Sequence, residues 1–533
     1  DTAVAVHPSD ERYAQYVGQE FDLEFAGVPI HIKVIADDTV EKDFGTGALG
    51  VTPAHSLIDA EMADRHDLPM KAVINEYAKM AVSEGLDPLQ LNGKKTTDAR
   101  EVIVNWLKDQ DLLISEAEVK QNVATAERTG GIIEPLPKLQ WFVAVDRPFT
   151  MKHSEIEGIT EGQQVTLKQL MTHVVDTGQI TITPGQFGKV YKNQWIEGLR
   201  DWCISRQLWF GHRIPVWYKG QSASPSEIYC GIEAPAGDGW QQDEDTLDTW
   251  FSAGMWTFST LGWPNKTEDF KTFHPTSVLE TGYDILFFWV ARMILMSTYL
   301  TGQIPFKDVY LHGLVRDAKN RKMSKSLGNI IDPRDMIAKY GTDALRFALV
   351  FNTAPGTDMA LAEDKIKGMK HFGNKLWNIA RFILANIDSD AERSDTIPNS
   401  ANLTKADKTI LNQLQEAIKS TDNHLANFRI HEAAQALYQF VWTELADVYI
   451  ESSKAQLQND ETKKDTQVIL LYLLENVLKL LHPFMPFVTE VLWQEMRKAK
   501  LVPDSLLMIA QWPQLSGVFA NPAVSDDNQD DKQ

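Results

Sequence analysis

The sequence predicts a multidomain α/β chain with a strand-rich front, a mixed middle and a helical end. Three observations carry that prediction. Near the start, Phe21, Leu23 and Phe25 alternate with polar residues, as do Ile30, Ile32 and Val34, the period-two pattern of half-buried strands. Between about 200 and 360 the apolar stretches are short and parted by glycine-containing turns, which suits buried parallel strands with crossover helices. From about 361 onward the apolar period is 3.6 residues, so helices joined by short polar links form a bundle. The boundaries that follow are 1–140, 141–360 and 361–515, with a disordered acidic tail over 516–533.

Individual elements follow from local signals. Within 1–140, a helix starts near Ser56 and another near Asp98, where Asp98 and Glu101 have capping-box spacing ahead of Val102 and Ile103. Gly and Pro punctuate 141–200. In the helical region Ile366, Met369, Phe372, Leu376, Ile379 and Ile383 form a first stripe. Thr404 and Asp407 offer a capping box before Ile410 and Leu411. Ile430, Ala434, Leu437, Val441, Leu445 and Val448 form a third stripe, and 466–493 a fourth, where Glu475 and Lys479 share a face. Trp377 and Trp442 fall on these stripes and are expected in the core.

Composition narrows the classes. With 43% hydrophobic and 23% charged residues, the 533-residue chain has material for several cores. Its 52 basic against 73 acidic residues, net −21, argue against a protein that coats nucleic acid indiscriminately, though an RNA held on a local basic surface stays open. Two cysteines, Cys203 and Cys230, cannot build a disulfide framework, and no CxxC pair or His-rich cluster offers a structural zinc site. A reducing cytoplasm is the simplest home. The longest apolar run, Ile285 to Ala291, is far short of the ~20 residues of a spanning helix, so no membrane is expected. The chain opens at Asp1 with no targeting segment and reads as beginning in mid-domain.

The most informative string is Lys322-Met323-Ser324-Lys325-Ser326, ten residues after His312-Gly313. Two lysines three apart, on a loop of small residues, can close over a triphosphate and neutralise charge on departing pyrophosphate. A solvated basic loop is the plainer reading, since Lys319 and Arg321 are neighbours.

With these residues the chain resembles the class I aminoacyl-tRNA synthetases, whose second signature is KMSKS. DWCISRQLWFGHRIPVWY (201–218), DTLDTWFSAGMWTFSTLGWP (245–264) and ETGYDILFFWVARMI (280–294) are similar to the valyl branch. An isoleucyl enzyme would show RYWG at Gln207–Gly211 and an Arg-Gly-Trp-Phe string at Phe287–Trp289. The resemblance implies the second half of a Rossmann-like catalytic domain over 141–360, preceded by part of a β-rich editing domain over 1–140 and followed by an anticodon-binding bundle. It implies a reaction of valine, ATP (with Mg2+) and tRNA(Val) by a monomer. Lys322, Ser324, Lys325 and Ser326 would face the phosphates. Gly282 and Asp284 would hold the adenylate, with Asp284 accepting from the ribose hydroxyls, and His312 and Gly313 would lie against the adenine. Trp250 and Trp289 would wall the amino-acid pocket; core packing is their alternative. YGTDALRF (340–347), NKLWNIARF (374–382) and YQFVWTELADVYIE (438–451) resemble the bundle.

Near the start of the chain Gly45, Gly47, Thr52, His55 and Asp59 follow the editing pattern, in which the threonine and aspartate grip a misattached amino acid. The family has a lysine where Gly50 stands and an aspartate where Ser56 stands, and Ser56 with Asp59 also fits a plain helix cap. The family's first signature, HxGH, does not occur in the sequence. The reading is therefore a truncated valyl-type synthetase. An isoleucyl- or leucyl-type enzyme, or a non-catalytic tRNA-binding paralogue, stands as the alternative.

Overall fold

The computed structural model describes residues 1–83, 85–116, 122–126, 129–221, 224–324, 327–388 and 403–514. Lys325, Ser326 and the 516–533 tail therefore lie outside the described residues. The chain divides into two compact units, Asp1–Gln140 and Trp141–Gln533.

In the first unit β1 (Ala3–Val6), β2 (Glu20–Phe25), β3 (Val28–Ala36) and β4 (Ala48–Val51) form one sheet in the order β2-β3-β1-β4. β1 runs parallel to β3, and the other pairs are antiparallel. Ala26 and Gly27, both at positive φ (55° and 76°), make the tight turn between β2 and β3. The strands fall where the alternation puts them, but the apolar face of β2 is less covered than expected. Leu23 is 50% exposed, and Phe25, 39% exposed, meets Trp106 edge-on, 5.1 Å away between ring centres. α1 (Leu57–His66) begins at Ser56 as anticipated. α2 (Thr96–Asp109) starts two residues before Asp98, with Lys95 at its cap, so the Asp98–Glu101 box does not form. Asp98 sits in the first turn instead, where a carboxylate suits the helix dipole.

The second unit holds two large cores. In one, β5 (Thr181–Thr183), β9 (Thr276–Gly282) and β10 (Phe306–His312) form a parallel sheet in the order β9-β10-β5. Between β5 and β9 the chain makes β6 (Val216–Gln221), β7 (Ser224–Cys230) and β8 (Trp240–Gln242), an antiparallel sheet in the order β7-β6-β8. This stretch corrects the expectation of parallel strands throughout 200–360. Val216 and Tyr218 are buried two apart on β6, the period of a strand covered on one face. α3 (Thr249–Gly254) follows. The crossover from β9 to β10 is the continuous helix Tyr283–Leu300, whose last turns are α4 (Arg292–Leu300). By length and composition that helix could cross a membrane, but 56% of it is buried within the protein and Arg292 is among its buried residues. β11 (Val315–Arg316) then pairs in parallel with β12 (Met359–Ala360).

The other core is helical: α5 (Glu363–Ala385), α6 (Lys405–Ala426), α7 (Ile430–Gln439), α8 (Asp460–Leu481) and α9 (Pro486–Lys498). The first stripe is buried as read, from Ile366 to Ile383. The Thr404–Asp407 box forms in both directions, at 2.9 and 3.2 Å. Three expectations fail for identifiable reasons. Phe440–Tyr449 is π-helical, and its extra residue per turn shifts the stripe, so Val448 points outward and Tyr449 is buried. The fourth stripe is two helices, because Pro483 and Pro486 lack the N–H that a continuous helix needs. Glu475 and Lys479 pair at 2.8 Å. Trp442 packs on the core, stacked on Tyr438, but Trp377 is 42% exposed: its neighbour Leu376 takes the inward position.

Asp407 is buried and accepts from the Thr404 backbone and hydroxyl and from the Tyr449 hydroxyl at 2.8 Å. In chemical denaturation Thr404→Ala is expected to cost about 1 kcal/mol, the usual loss of a cap. Asp407→Ala should cost more, about 3 kcal/mol, because it also strands the buried Tyr449 hydroxyl.

Candidate active site

β9 and β10 pair so that Gly282 lies opposite His312. Their C-terminal ends therefore open side by side, the edge at which parallel α/β sheets receive ligands. Asp284 folds back over Gly282: a Cβ at 282 would stand 2.5 Å from Asp284 Oδ1 and 3.5 Å from His312 Cε1. The His312 ring is half exposed, with Nε2 3.3 Å from Glu280 Oε1 and Nδ1 2.7 Å from the Gly313 carbonyl. Gly313 has a steric reason to be glycine, since a Cβ there would collide with the backbone of Thr357 and Asp358. That close pass is stitched on both sides. The Leu314 N–H donates to Asp358 at 2.8 Å, the Met359 N–H to Leu314 O at 2.9 Å and the Gly356 N–H to Leu311 O at 2.8 Å. Burial, and then a hydrogen bond to Asp358, push the Tyr283 phenol upward.

From β11 the chain enters a tight turn built on Asp317. This carboxylate is 7% exposed and accepts the N–H groups of Lys319 (3.0 Å) and Arg321 (2.8 Å), the Arg321 guanidinium (2.8 Å) and the Asn329 amide (3.0 Å). The Asn329 hydrogen bond leads the effects that hold its acid well below the usual carboxylate range. Lys322 forms a bridge back to Arg316, and the Ser324 N–H donates to Asn329 Oδ1 at 2.9 Å. Lys322 and Ser324 thus leave the same rim that carries His312 and Gly313. Lys325 and Ser326 lie outside the described residues.

Trp250 lies in the first turn of α3 and stacks on Phe288 (centroids 5.7 Å apart), while Trp289 donates from Nε1 to the Ala253 carbonyl of α3 at 3.1 Å and leans on Trp256. Both tryptophans are partly buried against the same core, in and beside the π-helical turn Leu286–Ala291. Beside them lies a charged network that the sequence did not reveal. The Arg292 guanidinium is held between Trp202 (4.0 Å) and Phe287 (4.8 Å). Asp248 accepts from Trp202 Nε1 and Arg206, each at 3.0 Å. Burial pulls the Arg292 pKa down to about 10 against the opposing field of Asp248. An arginine inside an apolar helix is the signal that could have pointed here.

In the first unit the editing-pattern residues gather around the start of α1. Asp59 is buried and its Oδ2 accepts the Thr52 N–H at 2.7 Å, while its own N–H donates to Ser56 Oγ at 3.3 Å. Only half of the capping box forms, because the carboxylate turns to Thr52. The Thr52 hydroxyl donates to Asp1 Oδ1 at 2.8 Å, and the same Asp1 side chain fills the space a Cβ at Gly50 would need. His55 sits apart from this pair: Nε2 accepts the Val73 N–H at 2.8 Å and Nδ1 lies 3.0 Å from the Pro135 carbonyl. Gly45 and Gly47 form the turn into β4, both at positive φ.

The family model for class I tRNA synthetases (I, L, M and V) matches residues 74–237 and 227–362. The chain belongs to that family. A model for the anticodon-binding domain of tRNA ligases matches 407–529. The chain is 43% identical over 517 residues to a valine--tRNA ligase of Bacillus anthracis, covering 96% of this chain and 55% of that protein. It is 43% identical over 519 residues to the valine--tRNA ligase of Staphylococcus aureus (strain bovine RF122 / ET3-1), covering 97% and 56%. The chain thus spans about half the length of the curated relatives it matches. A solved Mycobacterium tuberculosis methionyl-tRNA synthetase in complex with methionyl-adenylate aligns with TM-score 0.49 and 19% identity, over 69% of this chain and 72% of that one.

Two outcomes test this geometry. Gly313→Ala should force β11 and β12 apart and destabilise the second unit by about 1–3 kcal/mol, read as a lower melting temperature. The Asp317 acid is depressed in the fold, so its contribution is fully present above the unfolded pKa of about 3.9 and is lost as pH falls through the lower folded value. Amide protection at Arg321, corrected for intrinsic exchange, should therefore stay level from neutral pH down to about 4 and fall only below it.

Proposed function

We propose that the protein, in its full natural length, is a valine--tRNA ligase: it condenses valine with ATP to valyl-adenylate and pyrophosphate, then passes the acyl group to tRNA(Val). The observation that carries this reading is the meeting of Gly282, Asp284, His312 and Gly313 at the ends of two parallel strands, with Lys322 and Ser324 on the rim beside them. The identity to valine--tRNA ligases favours valine as the substrate.

Each residue has a role its surroundings permit. The Asp284 carboxylate, drawn back over Gly282, accepts from the ribose hydroxyls. The rim at His312 and Gly313 receives the flat face of adenine. The Lys322 ammonium, with Lys325 as its companion in the string, lies against the phosphates and stabilises charge as pyrophosphate departs; Ser324 and Ser326 add hydroxyl donors. Trp250 and Trp289 give apolar walls to a branched aliphatic side chain. Mg2+ would arrive with the triphosphate. Among the described residues no group of three His, Cys, Asp or Glu stands ready to hold a metal, so phosphate oxygens and water would be its main ligands.

The domain assignment belongs to the same proposal: editing over 1–140, catalysis over 141–360 and anticodon recognition over 361–515, in a monomer working in the cytoplasm. An apolar pocket cannot strongly reject threonine, which is isosteric with valine, a limit for which valyl synthetases are themselves the standard example. The first unit would hydrolyse the mischarged product, with the buried Asp59 carboxylate and Thr52 gripping the threonyl group. Gly45, Gly47 and His55 would shape the surrounding loops.

The test is amino-acid-dependent ATP–pyrophosphate exchange by the full-length protein. Valine should support it well above isoleucine or leucine. Lys322→Ala and Lys325→Ala should each lower the rate on the order of 100-fold with valine affinity unchanged. Exchange equal to wild type in both variants would overturn the phosphate role. No exchange with any amino acid, beside intact tRNA binding, would favour a non-catalytic tRNA-binding protein.

A further inference from the structure

The lysine string is anchored by two residues to which the family signature gives no role. Asn329 makes three hydrogen bonds with its one amide group: Oδ1 accepts the Ser324 N–H (2.9 Å), and Nδ2 donates to Asp317 Oδ2 (3.0 Å) and to the Lys322 carbonyl (3.2 Å). It thereby holds the backbone at both ends of Lys322–Ser324. Asp317 fixes Asn329 in turn, and is itself fixed by the turn it closes. Its Oδ1 takes the N–H groups of Lys319 and Arg321, and its Oδ2 takes the Arg321 side chain. Asn320 at φ 60° completes that turn. Ser324 Oγ accepts the Leu327 N–H at 3.3 Å, which adds a cross-link on the far side.

We propose that Asp317 and Asn329 form a latch that positions the backbone of Lys322–Ser324 at the mouth of the nucleotide site, so that the Lys322 ammonium is aimed before the triphosphate arrives. The inference rests on the phosphate-binding reading of that string. The physical reason for such a latch is entropic. A lysine on an unanchored loop must be ordered at the moment of reaction, whereas a held backbone leaves only the side chain to settle. An amide suits position 329 because the site demands one acceptor and two donations from one planar group. Asp317 has to stay ionised to accept four donors, and the same donors keep it so. Asp317 and Asn329 are positioning residues; neither is placed against substrate.

The test combines amide exchange with kinetics on the full-length protein. In Asn329→Ala the Ser324 amide should lose protection by about tenfold, the worth of one net hydrogen bond. The kcat of valine-dependent pyrophosphate exchange should fall on the order of 100-fold, with KM for ATP raised, KM for valine unchanged and the melting temperature close to wild type. Asn329→Asp should be as slow, because it sets two carboxylates face to face. The double variant D317N/N329D reverses the direction of one bond. Asn at 317 keeps Oδ1 for the turn and donates from Nδ2 to Asp at 329, whose other oxygen still accepts from Ser324; the Arg321 guanidinium loses its acceptor at Oδ2. Two of Asn329's three bonds return, and kcat should recover by about tenfold over N329D alone.

A double variant no faster than N329D although its Ser324 amide is again protected would overturn the latch. So would an Asn329→Ala protein with wild-type kcat, or one whose Ser324 amide stays protected. If wild type showed no exchange at all, the phosphate-binding reading would fall, and Ser324 protection would still decide whether the latch exists.

Discussion

The pairing of β9 with β10, in the register that sets Gly282 opposite His312, is the constraint on which the rest of the candidate site depends. A slip of one residue would send every side chain of a strand to the other face. The core resists it, because Val309 and Leu311, two apart on one face, are fully buried while Asp308 and Tyr310 on the other face are only partly so. Once that register is fixed, Asp284 and His312 must share one rim. Gly313 must then pass under Thr357, and β11 must leave the sheet alongside β12. The turn at Asp317 and the string that follows it inherit their place from this sequence of contacts. A core of apolar side chains thus sets the position of charged groups that touch none of it.

Charge is distributed to match. The chain carries a net −21, so a polyphosphate approaching it meets a repulsive background. The rim answers with Lys319, Arg321 and Lys322 close together. Arg321 is committed to Asp317, at 2.8 Å, and serves the turn. The division of labour is therefore between a cation used to build the loop and a cation presented by it. Exchanging Arg321 and Lys322 would lose both uses, since the flat guanidinium fits the carboxylate in a way an ammonium does not.

Much of this was legible from residues alone, and the failures are instructive. The period of the apolar stripes located the bundle, and Thr404 with Asp407 marked a helix start that forms as read. Val448 was misplaced because a π-helical turn leaves no mark in a 3.6-residue pattern. The antiparallel sheet at 216–242 was missed because short apolar runs between turns suit either strand direction, and only pairing distinguishes them. Trp377 shows that an aromatic next to a buried leucine can lie outside the stripe it borders. In the candidate site, short motifs brought attention to Gly282, His312 and Lys322. Asp317 and Asn329 stayed invisible, since they lie twelve residues apart and only the turn brings the carboxylate to the amide.

Arg292 shows the same logic at the pocket wall. A buried guanidinium is costly unless something offsets its desolvation. Its Nε and Nη1 have no hydrogen-bond partner among the described residues. What stands in for one is the two faces of Trp202 and Phe287 and the nearby Asp248 carboxylate, which also binds Trp202 Nε1 and Arg206. Asp248 in addition caps α3, accepting the N–H of Trp250 in its first turn. One carboxylate therefore fixes the direction of the helix carrying one pocket tryptophan. It also balances the arginine three residues beyond the other, Trp289. An apolar residue at 292 would fill the space at lower desolvation cost, but it would leave Asp248 with Arg206 as its main countercharge. The buried arginine is better understood as the second support of that aspartate than as a contributor to stability in its own right.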